Sequence, residues 1–403
     1  MSSRRHHVLG ILLTVLAGAL PEVHAATAPP VESEFLQAVE ALRAGRASDA
    51  QDLLATLVRR EPQFRVAQLL YAEVLASRSG EKSAVASVAP NSPQLKELLD
   101  EYRVRVQDTV LQGPPVGAVP DAVLGLSGVH RTAIIVDLPR SRLYVLATQG
   151  NGLQLVSNYY ASIARNGYGK STAGDLRTPV GVYHATTFEP GNVLPPFYGS
   201  GAFPLDYPNL WDRMLGRTGH GIWLHGVPVS TYARPPRTSE GCVVLANEDL
   251  LALRSWIVPG DTPVVFSDSL RWTAPATLAS QRSELVRRID NWRARWSERD
   301  TDGYLGFYAT DFHSDGMNLS QFGRYKRAVN AAKRRIDVHI RDLDLLRYPG
   351  EKDLVLAEFT QDYRSDNFAT VARKQQFWQR GSDGEWRIIR ELSRELPQSI
   401  ARN

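Results

Sequence analysis

Residues 219–226 read Gly-His-Gly-Ile-Trp-Leu-His-Gly, and residues 237–245 read Arg-Thr-Ser-Glu-Gly-Cys-Val-Val-Leu. If residues 220–225 form a strand, Gly221, Trp223 and His225 share one face, and His220, Ile222 and Leu224 the other. That parity turns His220 away from His225 and speaks against a joint metal site. No other His/Cys spacing suits zinc, so no metal is expected. Cys242 follows His225 by 17 positions and is the single cysteine of 403 residues.

A lone cysteine is by default a small buried apolar residue. Here its neighbours point to chemistry. A thiol attacks as the thiolate, and an imidazole brought alongside supplies the base that forms it. Gly226 and Gly241 leave room for backbone to approach a substrate, and an N–H at Cys242, helped by one beside Gly241, would then cradle an oxyanion. Cys242, His225 and Gly226 are therefore the candidate catalytic residues. Gly241, Ser239, Glu240, Trp223 and Arg237 are candidate substrate or oxyanion contacts. For Trp223 the rival reading is a core aromatic, and for Arg237 and nearby Arg234 it is a plain surface role.

Outward from this segment the period is that of strands. Thr132–Val136 and Arg142–Leu146 are rich in branched residues, and Asp137–Ser141 between them reads as a hairpin turn. Further strands are expected near 154–162, 180–184, 221–225 and 262–266. They define a small, mainly β catalytic domain over 131–268. Before it, Phe35, Leu36, Val39 and Leu42, then Leu53, Leu54, Leu57 and Val58, then Val66, Ala67, Leu70 and Val74 recur at helical spacing. Residues 26–112 are thus expected to be a helical, tetratricopeptide-like domain, suited to packing or to a homodimer contact. Residues 113–130, rich in Gly and Pro, read as a linker. After 268 the helical period returns with Leu285, Ile289, Trp292 and Trp296, and strand-like runs at 336–347, 354–363, 371–380 and 386–392 follow. Helices first and a meander afterwards indicate an α+β domain over 269–403, and the chain as a whole reads as a multidomain α+β protein.

Residues 1–25 have the form of a secretory signal: Arg4 and Arg5, an uncharged run from Val8 to Leu20, and small residues at Val23-His24-Ala25. The apolar run falls short of the roughly 20 residues a bilayer core needs, so cleavage is expected over anchoring. Nothing later could span a membrane. An oxidising destination also explains the cysteine count, because unpaired thiols are avoided there unless used. Formal net charge is +4, and removing Arg4, Arg5 and Glu22 leaves +3. Basic residues are dispersed, so no nucleic-acid partner is expected.

His225-Gly226 followed by Ser239-Glu-Gly-Cys242 resembles the hallmark of the L,D-transpeptidase (YkuD) family. Gly169-Lys170, Gly174-Asp175 and Thr178-Pro-Val-Gly-Val-Tyr183 resemble that family's upstream elements. The likeness covers about residues 131–268. Trp292-Arg-Ala-Arg-Trp296, Tyr304–Tyr308 and Trp386–Arg390 resemble the nuclear transport factor two-like (SnoaL-like) cone.

The first resemblance implies an enzyme of peptidoglycan stem peptides in the Gram-negative periplasm, with no cofactor. The Cys242 thiolate would attack the carbonyl of the third stem residue, usually diaminopimelate, and expel the terminal D-alanine. His225 would serve as base, oriented by a backbone carbonyl near Gly226. Passing the acyl group to an amine gives a transpeptidase, the first expectation. Passing it to water gives a carboxypeptidase, and the three-part layout resembles the L,D-carboxypeptidases that set cell shape in helical bacteria. Two positions depart from the family pattern: Glu240 stands for a second histidine and Val244 for an arginine, and Arg237 or Arg234 would have to compensate. A catalytically inactive wall-binding scaffold is the reading from another class. A papain-like protease fits poorly, because there Cys precedes His.

Overall fold

The computed structural model describes residues 30–81, 83, 92–107, 113–127, 131–150 and 152–396. The expected signal at 1–25 lies outside them. Among the described residues no helix is long and apolar enough to cross a membrane.

Four helices open the described chain: Pro30–Arg43, Ala47–Arg60, Arg65–Ser79 and Pro93–Val106. Their apolar stripes meet in one cluster of Phe35, Leu54, Leu57, Phe64, Val66, Ala67 and Val74. Gly80 ends the third helix in the left-handed conformation that a residue without Cβ adopts at little cost. Ser92 caps the fourth, its hydroxyl accepting the Leu95 N–H ahead of Pro93 in the first turn.

The next unit is built on a five-stranded sheet in the order Gly152–Tyr160, Arg142–Gln149, Thr132–Asp137, Pro263–Ser267, Gly181–His184. The first three strands form an antiparallel meander through the expected hairpin. Packed against this sheet is a smaller one of Val243–Val244, Trp223–His225, Gly201–Pro204 and Glu189–Pro190. Ile222 and Leu224 lie in the core beside Ile134, Val145, Phe203 and Phe266, on the apolar side of the alternation.

The last unit wraps a seven-stranded sheet around the helix Pro275–Ser297. Leu278, Leu285, Ile289, Trp292 and Trp296 all face inward from it, each worth about 1.5–3 kcal/mol when fully buried. The strands Ile336–Arg347, Leu354–Ser365, Ala369–Arg380 and Trp386–Glu395 pair antiparallel in sequence order.

Residues 113–127, the described part of the expected linker 113–130, carry structure. Val119–Pro120 pairs with Trp272–Thr273, and Val123–Gly125 becomes the edge strand of the C-terminal sheet. These strands are only two and three residues long, too short to leave a periodic signal. They help bind the last two units into one body. Trp211 of the middle, mainly β unit stacks on Phe377 at 5.3 Å, and His184 Nε2 lies 3.1 Å from Glu358 Oε2. Arg131 pairs with Asp261 in its own unit and with Asp344 across the same seam.

The helical unit is joined to the middle β unit by a buried charge cluster. Glu32, about 1% exposed, accepts from Arg105 at 3.0 Å and from Arg142 at 2.8 Å, and Arg105 also binds Glu101 at 2.8 Å. Two guanidinium groups balance the charge of two carboxylates in a set that would be costly if any member were missing.

Candidate active site

The strands Trp223–His225 and Val243–Val244 run parallel, with Leu224 opposite Val243 and His225 opposite Val244. Cys242 directly precedes the second strand, level with Trp223, and its sulfur lies along the edge of the first. Its thiol donates to the Gly221 carbonyl at 3.4 Å, and the Trp223 N–H points at the sulfur. Trp223 and His225 share a face, so thiol and imidazole belong to diagonal neighbours. From the strand spacing of ~4.8 Å and rise of ~3.3 Å per residue, their backbones lie about 8 Å apart, a gap two side chains can close.

His225 Nδ1 lies 2.7 Å from the Gly226 carbonyl oxygen. A carbonyl only accepts, so Nδ1 carries the proton and Nε2 is left as the basic nitrogen. The ring is walled by Phe197 at 5.5 Å and Tyr198 at 5.0 Å, and Tyr198 in turn lies 4.7 Å from Trp223. Burial lowers the imidazole to about 4, against the opposing effect of the Gly226 carbonyl, and the Arg234 charge lowers it further. Burial pushes the Cys242 thiol up to about 11, opposed by the Trp223 N–H and Arg234 and aided by Glu240. Cys242 retains an opening to solvent even though protein surrounds most of it. The resting residues are thus a neutral thiol and a neutral imidazole on diagonal positions of two paired strands, so a thiolate would have to form during any attack by the sulfur.

Gly226 admits no side chain. A Cβ there would lie 2.2 Å from Asn247 Oδ1 and 3.1 Å from the Tyr198 carbonyl. Asn247 binds this junction together: Oδ1 accepts from Ser200 N at 2.8 Å and Val227 N at 3.1 Å, while Nδ2 donates to Val227 O at 2.8 Å. The aromatic wall and the histidine strand are therefore held by one amide. At Gly241 φ is +148° and a Cβ would press on Ile222 at 2.8 Å.

The other expected contacts fall out differently. Ser239 is buried and turned into its own loop, donating to the Cys242 carbonyl at 2.6 Å and accepting the Gly241 N–H at 3.3 Å. This removes Gly241 N–H as an oxyanion donor. The Cys242 N–H has no acceptor among the described residues and stays available. Glu240 is exposed and paired with Arg165, so its charge, which also acts on Cys242, is largely met by that cation. Arg237 is exposed, its backbone paired with Ile163, and it makes no side-chain contact with the site. Arg234 takes its place: its guanidinium stacks 4.2 Å from the Phe197 ring, and its charge acts on both Cys242 and His225. Trp223 is half-buried and lines the wall. Phe197, Tyr198 and Asn247 went unrecognised in the sequence. The first two sit in a Pro-rich turn without periodicity, and an asparagine opening a helix looks like an ordinary start. Among the described residues no group of His, Cys, Asp and Glu is placed to hold a metal ion.

Residues 131–266 match the model of the L,D-transpeptidase catalytic domain (YkuD), and residues 284–392 match that of the Cds6 C-terminal NTF2-like domain. Among solved structures the chain is similar to Bd1075 of Bdellovibrio bacteriovorus, with 29% identity and a TM-score of 0.61 over 70% of this chain and 99% of that one. It is also similar in fold to the helical cell shape determining protein Pgp2 of Campylobacter jejuni, with 24% identity and a TM-score of 0.55 over 68% of this chain and 96% of that one. Among curated proteins none matches.

Proposed function

Since residues 131–266 form an L,D-transpeptidase catalytic domain and residues 284–392 an NTF2-like domain, we propose that this chain cleaves the diaminopimelate–D-alanine bond of peptidoglycan tetrapeptide stems in the periplasm. The reaction passes through a thioester on Cys242. The observation that carries this reading is the His225–Gly226 bond, which leaves Nε2 as a free base on the face of the strand whose edge holds the sulfur. As the thiol adds to the scissile carbonyl, His225 Nε2 takes its proton, and the Cys242 N–H is the donor free to meet the developing oxyanion. Collapse of the tetrahedral adduct expels D-alanine, whose amine receives that proton from His225. An acceptor then adds to the thioester, with His225 taking its proton and the thiol leaving.

Water is the acceptor this geometry favours. His225 is only 1% exposed behind Phe197 and Tyr198, and water needs less room than a second stem peptide. The reaction is then carboxypeptidase trimming of tetrapeptides to tripeptides. The match to the transpeptidase domain model supports the second reading, transfer to an amine. Digestion of purified sacculi followed by muropeptide separation decides between them. Tripeptides alone support hydrolysis, new 3-3 dimers support transfer, and neither product together with no acyl adduct on Cys242 removes the proposal in favour of a wall-binding scaffold.

A further inference from the structure

Arg234 is half-buried, yet none of the described carboxylates pairs with its guanidinium. Its side chain leans on Phe197 at 4.2 Å, and Phe197 lies 5.5 Å from the His225 ring. A partly desolvated cation without a partner is costly unless an anion arrives to meet it. In the proposed reaction the bond cut lies one residue from the peptide's end. Its terminal carboxylate therefore sits about one residue length, ~3.5 Å, beyond the scissile carbonyl. The guanidinium lies on the ring that walls His225, its charge acts on Cys242, and its fork suits a carboxylate.

What aims Arg234 comes from the helical domain. The Arg234 carbonyl accepts the Tyr160 hydroxyl at 2.8 Å, and Arg105 of the fourth helix lies 3.9 Å over the Tyr160 ring. Two residues before Arg234, the Tyr232 ring packs tilted against Phe64 of the helical domain, 4.3 Å between centroids. Pro235 and Pro236 are tied by their carbonyls to Ser162 and Ile163. The loop between His225 and Cys242 is thus clamped from both sides, and one side belongs to another domain.

We infer that Arg234 recognises the terminal carboxylate of the peptide being cleaved, and that the helical N-terminal domain positions it by holding Tyr232 and Tyr160. The inference rests on the proposed cleavage and names a determinant of its substrate choice. The test uses the full chain and tetrapeptide stems in three forms: free acid, terminal amide, and amide on the diaminopimelate side-chain carboxylate.

Wild-type enzyme should prefer the free acid over the terminal amide by about 10–100-fold in kcat/KM, the range for a lost charged hydrogen bond. In Arg234→Ala that ratio should shrink to within about 3-fold, mainly through KM, and Arg234→Lys should restore part of it. An unchanged ratio in Arg234→Ala overturns the assignment. So does a loss of preference confined to the side-chain amide. Phe64→Ala should lower the same ratio and Phe64→Tyr should restore it; an equal loss on all three substrates, or none, removes the positioning role. Inactivity of the wild type, or acylation surviving in Cys242→Ala, strikes the cleavage reading itself, and this inference falls with it.

Discussion

His225 donates its Nδ1 proton to the Gly226 carbonyl at 2.7 Å, so the residue that follows it in the chain also fixes its tautomer. None of the described carboxylates takes part. A carbonyl orients the ring without adding a full negative charge, so it offsets burial only in part and the imidazole stays neutral down to about 4.

The first prediction concerns the resting thiol. With Cys242 raised to about 11 and His225 lowered to about 4, a thiolate–imidazolium pair is not populated near neutrality. Iodoacetamide alkylation of the free enzyme should be slow at about pH 7 and climb past the ordinary thiol range of ~8.5. His225→Ala should leave that profile nearly unchanged while abolishing turnover, and Cys242→Ala should abolish both. A plateau in alkylation from about pH 6 upward would show a preformed ion pair and refute this.

The second concerns Asn247. Its amide makes three bonds that join the Tyr198–Ser200 turn to Val227. Asn247→Ala should cost about 1–3 kcal/mol, because buried N–H and carbonyl groups lose their partners. Activity should fall at least tenfold as Phe197 and Tyr198 shift. Gly226→Ala should behave similarly, since its Cβ would strike the same Oδ1 at 2.2 Å. Thermal denaturation with parallel turnover assays checks both. Wild-type activity in either variant would show that this junction does not govern the site.

These residues also mark where sequence reasoning stops. Alternation around Ile222 and Leu224 discloses a strand, and alternation is a property of neighbouring residues. The lone cysteine, the histidine and the glycines between them are legible for the same reason, since each restricts chemistry or backbone on its own. Arg234 and Arg237 are indistinguishable in the chain. Only the contacts with Phe197, Tyr160 and the helical domain turn one inward, and those partners lie far away in sequence. Ser239 misled in the opposite direction, because a serine next to a nucleophile reads as a substrate contact when its hydroxyl is spent on the turn.

The third prediction follows from that turn. Ser239→Ala strands the Cys242 carbonyl and the Gly241 N–H and should cost about 1–3 kcal/mol. Turnover should fall but persist, and Ser239→Thr should recover most of both. Complete loss of turnover in a variant that keeps the wild-type melting temperature would give the hydroxyl a direct chemical role.

The last concerns the seam between the catalytic and C-terminal units, where His184 Nε2 and Glu358 Oε2 lie 3.1 Å apart and both are buried. Burial alone would lower the histidine and raise the glutamate, and each overcomes that tendency through the other's charge. His184 is raised from 6.5 to about 10, with Asp206 helping, and Glu358 is lowered from 4.5 to about 2, with Arg373 and Gln375 helping. The two shifts describe largely one interaction and are not summed. For the raised histidine, stability is fully present below 6.5 and is lost as pH climbs through about 10. For the lowered glutamate it is present above 4.5 and is lost as pH falls through about 2. The pair therefore stabilises most between 4.5 and 6.5. Glu358→Gln removes one partner and should cost about 3 kcal/mol in that window. The gap in denaturation midpoint between variant and wild type should narrow toward both alkaline and strongly acidic pH. A gap that stays constant with pH would mean that the two side chains contribute shape to the seam and their charges do not.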